Sequence, residues 1–394
     1  MRSEQISVAI VGGGIGGMSA ALALHQKGLN VTVFEQAPEL GEIGAGVVIT
    51  PNGLRQLTRL GVGSALEEVW APLGDGSVYC YKDGTPVARA TVTDSSREFR
   101  QFGVHRHDLL MALAGPLPSD LVSTGHRCVG VIQSESGVTL SFDNGRSAEA
   151  DLVIGADGIQ SVLRAQVTEP SRPIHSGFVA YRGLIKTSRI PGLPNDIVKL
   201  WMGENQHFLT FPVRRGEMIN YVGFLPAVDE VLESWSAPGD AQALAAAFRG
   251  WDPQLDELLA GLGDTYWWGL YDREPIEKWT QGRLTLLGDA AHPMLPHLGQ
   301  GANQAIEDAL VLGELLDGCG QTEVEARLKI YESIRRDRTR DVQLQSRLSG
   351  KWFDAADDID ARNAALANYV EFKLWLYDYD AVDAARETKN ALAG

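Results

Sequence analysis

Residues 7–11 (SVAIV) are a continuous apolar run, the pattern of a strand buried on both faces of a parallel sheet. MSAALALHQKG at 18–28 is rich in Ala and Leu and reads as a helix, and VTVF at 31–34 reads as a second buried strand. The pattern changes at 76–92 (GSVYCYKDGTPVARATV) and across 175–225, which holds HSGFVAYRGLIK, VKLWMG, HFLTFPVR and MINYVGFLP. Apolar and polar positions alternate there and aromatics are frequent, which predicts strands of a mixed or antiparallel sheet. Residues 237–262 show helical spacing that ends in glycines. From 321 onward apolar residues at helical spacing alternate with charges, predicting surface-packed helices that cap the first domain.

Between the first strand and its helix stands Gly12-Gly13-Gly14-Ile15-Gly16-Gly17. Gly12, Gly14 and Gly17 fit G-x-G-x-x-G. The first glycine permits the tight turn, the second lets the backbone approach a pyrophosphate, and the third allows close helix–strand packing. The helix N-terminus faces the phosphate charge. Glu35 ends the second strand, where a carboxylate can accept hydrogen bonds from ribose hydroxyls. Strand, turn, helix, strand and acid stand in the order and spacing of a dinucleotide site. The motif alone leaves NAD and FAD both open, and the acid disfavours NADP.

Composition narrows the partners. The chain has 394 residues, 44% apolar and 22% charged, which is globular and long enough for more than one domain. Its 35 Lys and Arg against 51 Asp and Glu give a formal charge of -16. That balance argues against nucleic acid or an anionic membrane as the main partner, although a local Arg or His can still bind a small anion. Cys80, Cys128 and Cys319 lie far apart without CxxC spacing, so neither a disulfide framework nor a metal site is expected. The N-terminus lacks signal-peptide features and no apolar stretch is long enough to span a bilayer, which predicts a cytoplasmic location. A monomer and a homodimer both remain open.

Two later segments, DLVIGADGIQSVLR at 151–164 and RLTLLGDAAHPMLPHLGQGANQAIED at 283–308, complete a set of three with the glycine turn. Together they resemble the motifs of the group A, single-component flavoprotein aromatic hydroxylases, from residue 7 to about 345. The resemblance implies an α/β fold: a Rossmann-like FAD-binding domain, an inserted mixed β-sheet substrate domain and C-terminal helices. It places FAD-binding parts at 1–75, 99–172 and 276–345, substrate-domain strands at 76–98 and 173–275, and the C-terminal helical region at 346–394. It also implies tightly but non-covalently bound FAD and a transient NADH or NADPH donor, and no second G-x-G-x-x-G follows residue 17. On the matching positions, Asp289 takes ribityl or ribose hydroxyls, and Gly301 and Ala302 open a helix toward the flavin. Arg106 approaches FAD, the backbone at Cys128 meets adenine, and Asp157 serves flavin and nicotinamide. Arg164 reads equally as a ligand or as a structural salt bridge.

The segment 292–297 follows Asp289 directly and should pass beside the flavin ring. His297 and His207 are the expected catalytic residues, acting on a ring hydroxyl; His292 reads as a loop anchor. Tyr181, Phe211 and Pro296 are the expected substrate contacts, and Trp201 a stacking wall. HFLTFPVR and HPMLPHLGQGA resemble salicylate 1-hydroxylase, whereas WWGLYDREPIEKW at 267–279 resembles 3-hydroxybenzoate 6-hydroxylase. The latter's Tyr is replaced here by Phe211. The HPMxPH pattern is shared with 6-hydroxynicotinate 3-monooxygenase, whose His is replaced by Val48. The implied reaction is hydroxylation of a small phenolic acid with NAD(P)H and O2 through a flavin C4a-hydroperoxide, foremost salicylate to catechol with decarboxylation. Other classes are a flavin oxidase or reductase that forms no such adduct, and an FAD-binding module without catalysis.

Overall fold

The computed structural model describes residues 6–41, 45–74, 77–227, 237–355 and 359–393. The N-terminal apolar run is strand β1 (Ser7–Val11), the Ala- and Leu-rich stretch is helix α1 (Ile15–Gln26), and VTVF lies in β2 (Asn30–Phe34). Further strands are β3 (Ser77–Tyr81), β4 (Leu152–Gly155), β5 (Ile174–Lys186) and β6 (Lys199–Gly203). After them come β7 (Gln206–Val213), β8 (Met218–Pro226), β9 (Tyr266–Asp272) and β10 (Leu284–Leu286). Helices α2 (Gly301–Leu316), α3 (Val324–Asp354), α4 (Ile359–Tyr377) and α5 (Ala381–Ala393) follow. The fold is the mixed α/β arrangement expected.

Among the described residues, one sheet runs Thr280–Gln281, β10, β4, β1, β2, Val122–Ser123, parallel except at its first pair. β1 sits inside it and is covered on both faces, which is why its sequence is apolar without alternation. A second, mixed sheet runs Ala237–Pro238, β9, β5, β8, β7, β6, β3, Pro86–Ala90, with only β6 and β3 parallel. The boundary expected between 75 and 76 falls on residues outside those described.

The second sheet is two-faced. Phe208, Trp201 and Tyr221 point into a core closed by Leu244, Leu255 and Leu258. Those leucines come from the 237–262 stretch, whose helical spacing is realised as two short helices, Ala241–Ala247 and Pro253–Ala260. Pro253 cannot continue a preceding helix but suits a first turn, and Asp252 caps that turn through the Gln254 amide. On the opposite face His207, Leu209 and Phe211 look toward the first sheet.

The C-terminal helices do more than cap the first domain. α5 lies on α2, with Lys389 donating to the Glu314 and Asp317 carbonyls. α4 instead turns Tyr369, Leu376 and Tyr377 onto Tyr79, Leu200 and Met202 of the second sheet. No helix among the described residues is long and apolar enough to cross a membrane, and none of their acidic, Cys and His side chains cluster as a metal site.

Candidate active site

The glycine turn is built as its spacing requires. Gly12 has a φ of +108°, and a Cβ there would meet the Ala156 carbonyl oxygen at 2.2 Å. At Gly17 a Cβ would fall 1.9 Å from the Gly12 oxygen, so helix and strand could not pack. Gly14 differs: a Cβ there would meet no atom within 4 Å, and Gly14 lines a cavity of about 490 Å³. Glu35 accepts from the amides of Gly13 and Ala37, both at 2.7 Å. Its remaining lone pairs are what it can offer a ribose.

The other residues expected at the cofactor fall into two groups. Arg106, Asp289, Gly301 and Ala302 line the same cavity, as does Gly158 next to Asp157. Cys128 and Asp157 do not. Cys128 is buried in strand Cys128–Gln133, and Asp157 accepts from the Val162 amide at 2.9 Å. Burial pushes the Asp157 carboxyl above the usual range, against its hydrogen bonds. Arg164 donates to the carbonyls of Ala290 at 2.9 Å and Ala291 at 3.0 Å, tying down the loop after Asp289. Its guanidinium is lowered to about 10 by burial and then by Arg273.

Behind α2 lies a buried ionic network. Arg335 joins Glu307 at 2.5 Å and Asp308 at 2.7 Å, and Arg338 grips Glu307 through two nitrogens at 2.8 and 2.9 Å. His292 is bonded to Asp308 at 2.7 Å and fully buried, so it anchors the loop rather than facing the cavity. Asn303 fixes the start of α2 by accepting from the Thr50 amide at 3.0 Å and donating to the Val48 carbonyl at 3.0 Å.

Where the second sheet faces this cavity, His207, Phe211, Pro296 and His297 converge. The His207 and His297 ring centroids are 5.2 Å apart, and Phe224 stacks on His207 at 4.1 Å. His207 is 1% exposed, with Nδ1 2.6 Å from Oδ1 of Asp354. A carboxylate only accepts, so Nδ1 carries a proton, and in the neutral ring the lone pair is then at Nε2. His297 Nδ1 is enclosed without a hydrogen-bond partner. Burial, and then the nearby His207, hold His297 well below the usual imidazole range, so it is neutral. Gly350 of α3 makes room for it: a Cβ there would lie 2.6 Å from His297 Nε2.

Two expected contacts point the wrong way. Tyr181 is on the far face of β5, packed in the core with Trp201 and stacked on Trp267 at 6.2 Å. Alternation along a strand sends its neighbour Arg182 into the cavity instead, over the Trp268 ring at 4.5 Å. Trp201 donates to Asp252 at 2.8 Å on that far face and is no wall of the cavity. Conversely, Asp354, Tyr79, Gln101, Tyr369, Lys373 and Tyr377 were not legible as site residues. All but Asp354 line the cavity, and Asp354 reaches it through His207.

A family model described as an FAD binding domain matches residues 5–346, so fold and site together define an FAD-binding flavoprotein. A 3-amino-4-hydroxybenzoate 2-monooxygenase from Streptomyces platensis is 37% identical, covering 95% of this chain and 96% of its own. A salicylate hydroxylase from Pseudomonas putida is 35% identical, over 95% and 93%. A solved salicylate hydroxylase substrate complex superposes with a TM-score of 0.85 at 30% identity, covering 98% of both chains. The chain belongs to the group A flavoprotein aromatic hydroxylases and is an FAD-dependent monooxygenase of that family.

Proposed function

We propose that the chain hydroxylates a small aromatic acid bearing a ring hydroxyl, using NADH or NADPH and O2, with salicylate converted to catechol and CO2. The observation that carries this reading is the pair of His207 and His297 beside Pro296, on the cavity that Gly14, Asp289 and Gly301 also line. Those last residues, with Arg106 and Ala302, would hold the FAD. We also take the FAD-binding part to be discontinuous, interrupted by 76–98 and 173–275.

FAD held there would supply hydride acceptance and oxygen activation, and the protein's own residues prepare the ring to receive the oxygen. A phenolate is a far better nucleophile than a phenol. His207 can take the hydroxyl proton at Nε2, because Asp354 at Nδ1 stabilises the imidazolium that forms. Neutral His297 orients the same hydroxyl without competing for its proton. Phe224 at 4.1 Å and Phe353 at 5.5 Å shield the His207 ring from water.

A second substrate, 3-amino-4-hydroxybenzoate, is favoured by the 37% identity to the Streptomyces enzyme. The test follows NADH oxidised, O2 consumed and product formed from salicylate, 3-amino-4-hydroxybenzoate, 3-hydroxybenzoate and 6-hydroxynicotinate. Catechol with CO2 supports the first substrate; a product of 3-amino-4-hydroxybenzoate that keeps its carboxylate selects the second. Peroxide alone from every acid would sink both.

A further inference from the structure

The cavity holds a second polar corner that chemistry at a ring hydroxyl does not use. Lys373 reaches it from α4 and is only 5% exposed. Its Nζ donates to the Tyr79 hydroxyl at 3.0 Å and lies 4.8 Å from the Tyr369 ring centroid. Tyr377 lines the same corner, its hydroxyl bonded by the Gln101 side-chain amide. Among the described residues no carboxylate pairs with Lys373, and burial alone lowers its ammonium to about 7. One phenol and two ring faces are poor compensation for burying that charge, so the corner is short of an anion.

Position says what kind of anion fits. Lys373 stands over β3, on one side of β7, and Arg182 over β9 on the other. Between them is His207. Phe353 links the two polar corners, its ring 5.5 Å from that of His207 and 6.1 Å from that of Tyr79. Walls of Leu200, Leu209 and Phe353 make the space between apolar. An aromatic acid that sets its carboxylate at Lys373 lays its flat ring across that apolar span.

We propose that Lys373, seconded by the Tyr79 hydroxyl, is the carboxylate anchor of the substrate cavity, so that α4 selects aromatic acids over neutral phenols. This rests on the reading of the cavity as the site of a hydroxylated ring, and the test separates the two. The FAD-loaded protein is titrated with salicylate, benzoate and the neutral probe salicylamide, following the flavin absorbance. In Lys373→Met the dissociation constants of both acids rise roughly 100-fold, the scale of a charge-assisted hydrogen bond, while that of salicylamide stays within about twofold. Lys373→Arg recovers part of the loss, and Tyr79→Phe weakens only the acids, by roughly fivefold.

Equal weakening of acids and amide in Lys373→Met overturns the anchor, as does unchanged acid binding. So does a selective loss of the acids in Arg182→Gln instead. If the unaltered protein binds salicylamide but no acid, the anchor fails and the hydroxylated-ring reading stands; if it binds none of the three, both fail. Should Lys373→Met not retain FAD, Tyr79→Phe and Lys373→Arg carry the same comparison.

Discussion

Asp354, the last residue of α3, holds Nδ1 of His207 at 2.6 Å across 147 residues of sequence. The pair fixes the neutral ring's tautomer and leaves Nε2 as its basic atom. That makes Asp354 a positioning residue, and its loss should appear in coupling more than in binding. In Asp354→Asn we expect hydroxylated product to fall roughly 100-fold, with FAD content and flavin reduction by NADH little changed. Peroxide per NADH rises accordingly, and Asp354→Glu recovers part of the product. Unchanged product per NADH in Asp354→Asn would remove the residue from the mechanism.

Gly350 sets stability against function. Glycine inside a helix costs about 0.5–1 kcal/mol relative to alanine, so Gly350→Ala should leave the melting temperature equal or higher. The new methyl would lie 2.6 Å from His297 Nε2 and 2.7 Å from Cδ2, so the imidazole must move. Lower coupled turnover in a protein at least as stable is the expected result. Full turnover would show that the position of His297 does not matter.

The glycines of the turn should separate in the same manner. Gly17→Ala puts a methyl on the Gly12 carbonyl and should lower thermal stability with or without flavin. Gly14→Ala points into open cavity space, so the flavin-free protein should melt as before. Its FAD affinity, measured by fluorescence titration, should fall by roughly tenfold or more. Normal FAD affinity in Gly14→Ala would mean that the phosphates pass elsewhere.

Acid stability should depend on the network behind α2. Burial opposes ionisation of Asp308, but His292 and Arg335 outweigh it and lower the carboxyl to about 2. Because the folded value lies below the unfolded one, this stabilisation is complete above the ordinary carboxylate range and fades as pH falls toward 2. It amounts to about 2 kcal/mol. Asp308→Asn should flatten that part of the pH–stability curve. It should also cost on the order of 3 kcal/mol at neutral pH, since Arg335 loses a charged partner in a buried site.

The sequence by itself determined the cofactor half of this protein. β1, the glycine turn, α1, β2 and Glu35 are consecutive, and the positive φ at Gly12 and the approach of Gly17 to the Gly12 oxygen are constraints within that stretch, to which the chain just past β4 adds Ala156 against Gly12. His207 and His297 were legible as candidates because each stands in a segment whose neighbours resemble a known site. Which face a strand turns to the cavity was not legible: Tyr181 and Arg182 differ by one position, and only the register of β5 with β8 and β9 sends one to the core and the other to the cavity. Nor was the C-terminal contribution. Asp354, Tyr369, Lys373 and Tyr377 lie in segments that read as plain amphipathic helices, and α3 and α4 bring them against β7 and β3 by packing their apolar faces on the second sheet. A local pattern can specify a turn, because the turn's constraints lie within it. A site assembled from residues 147 or 294 apart is specified only when long-range burial brings the helices down on the sheet.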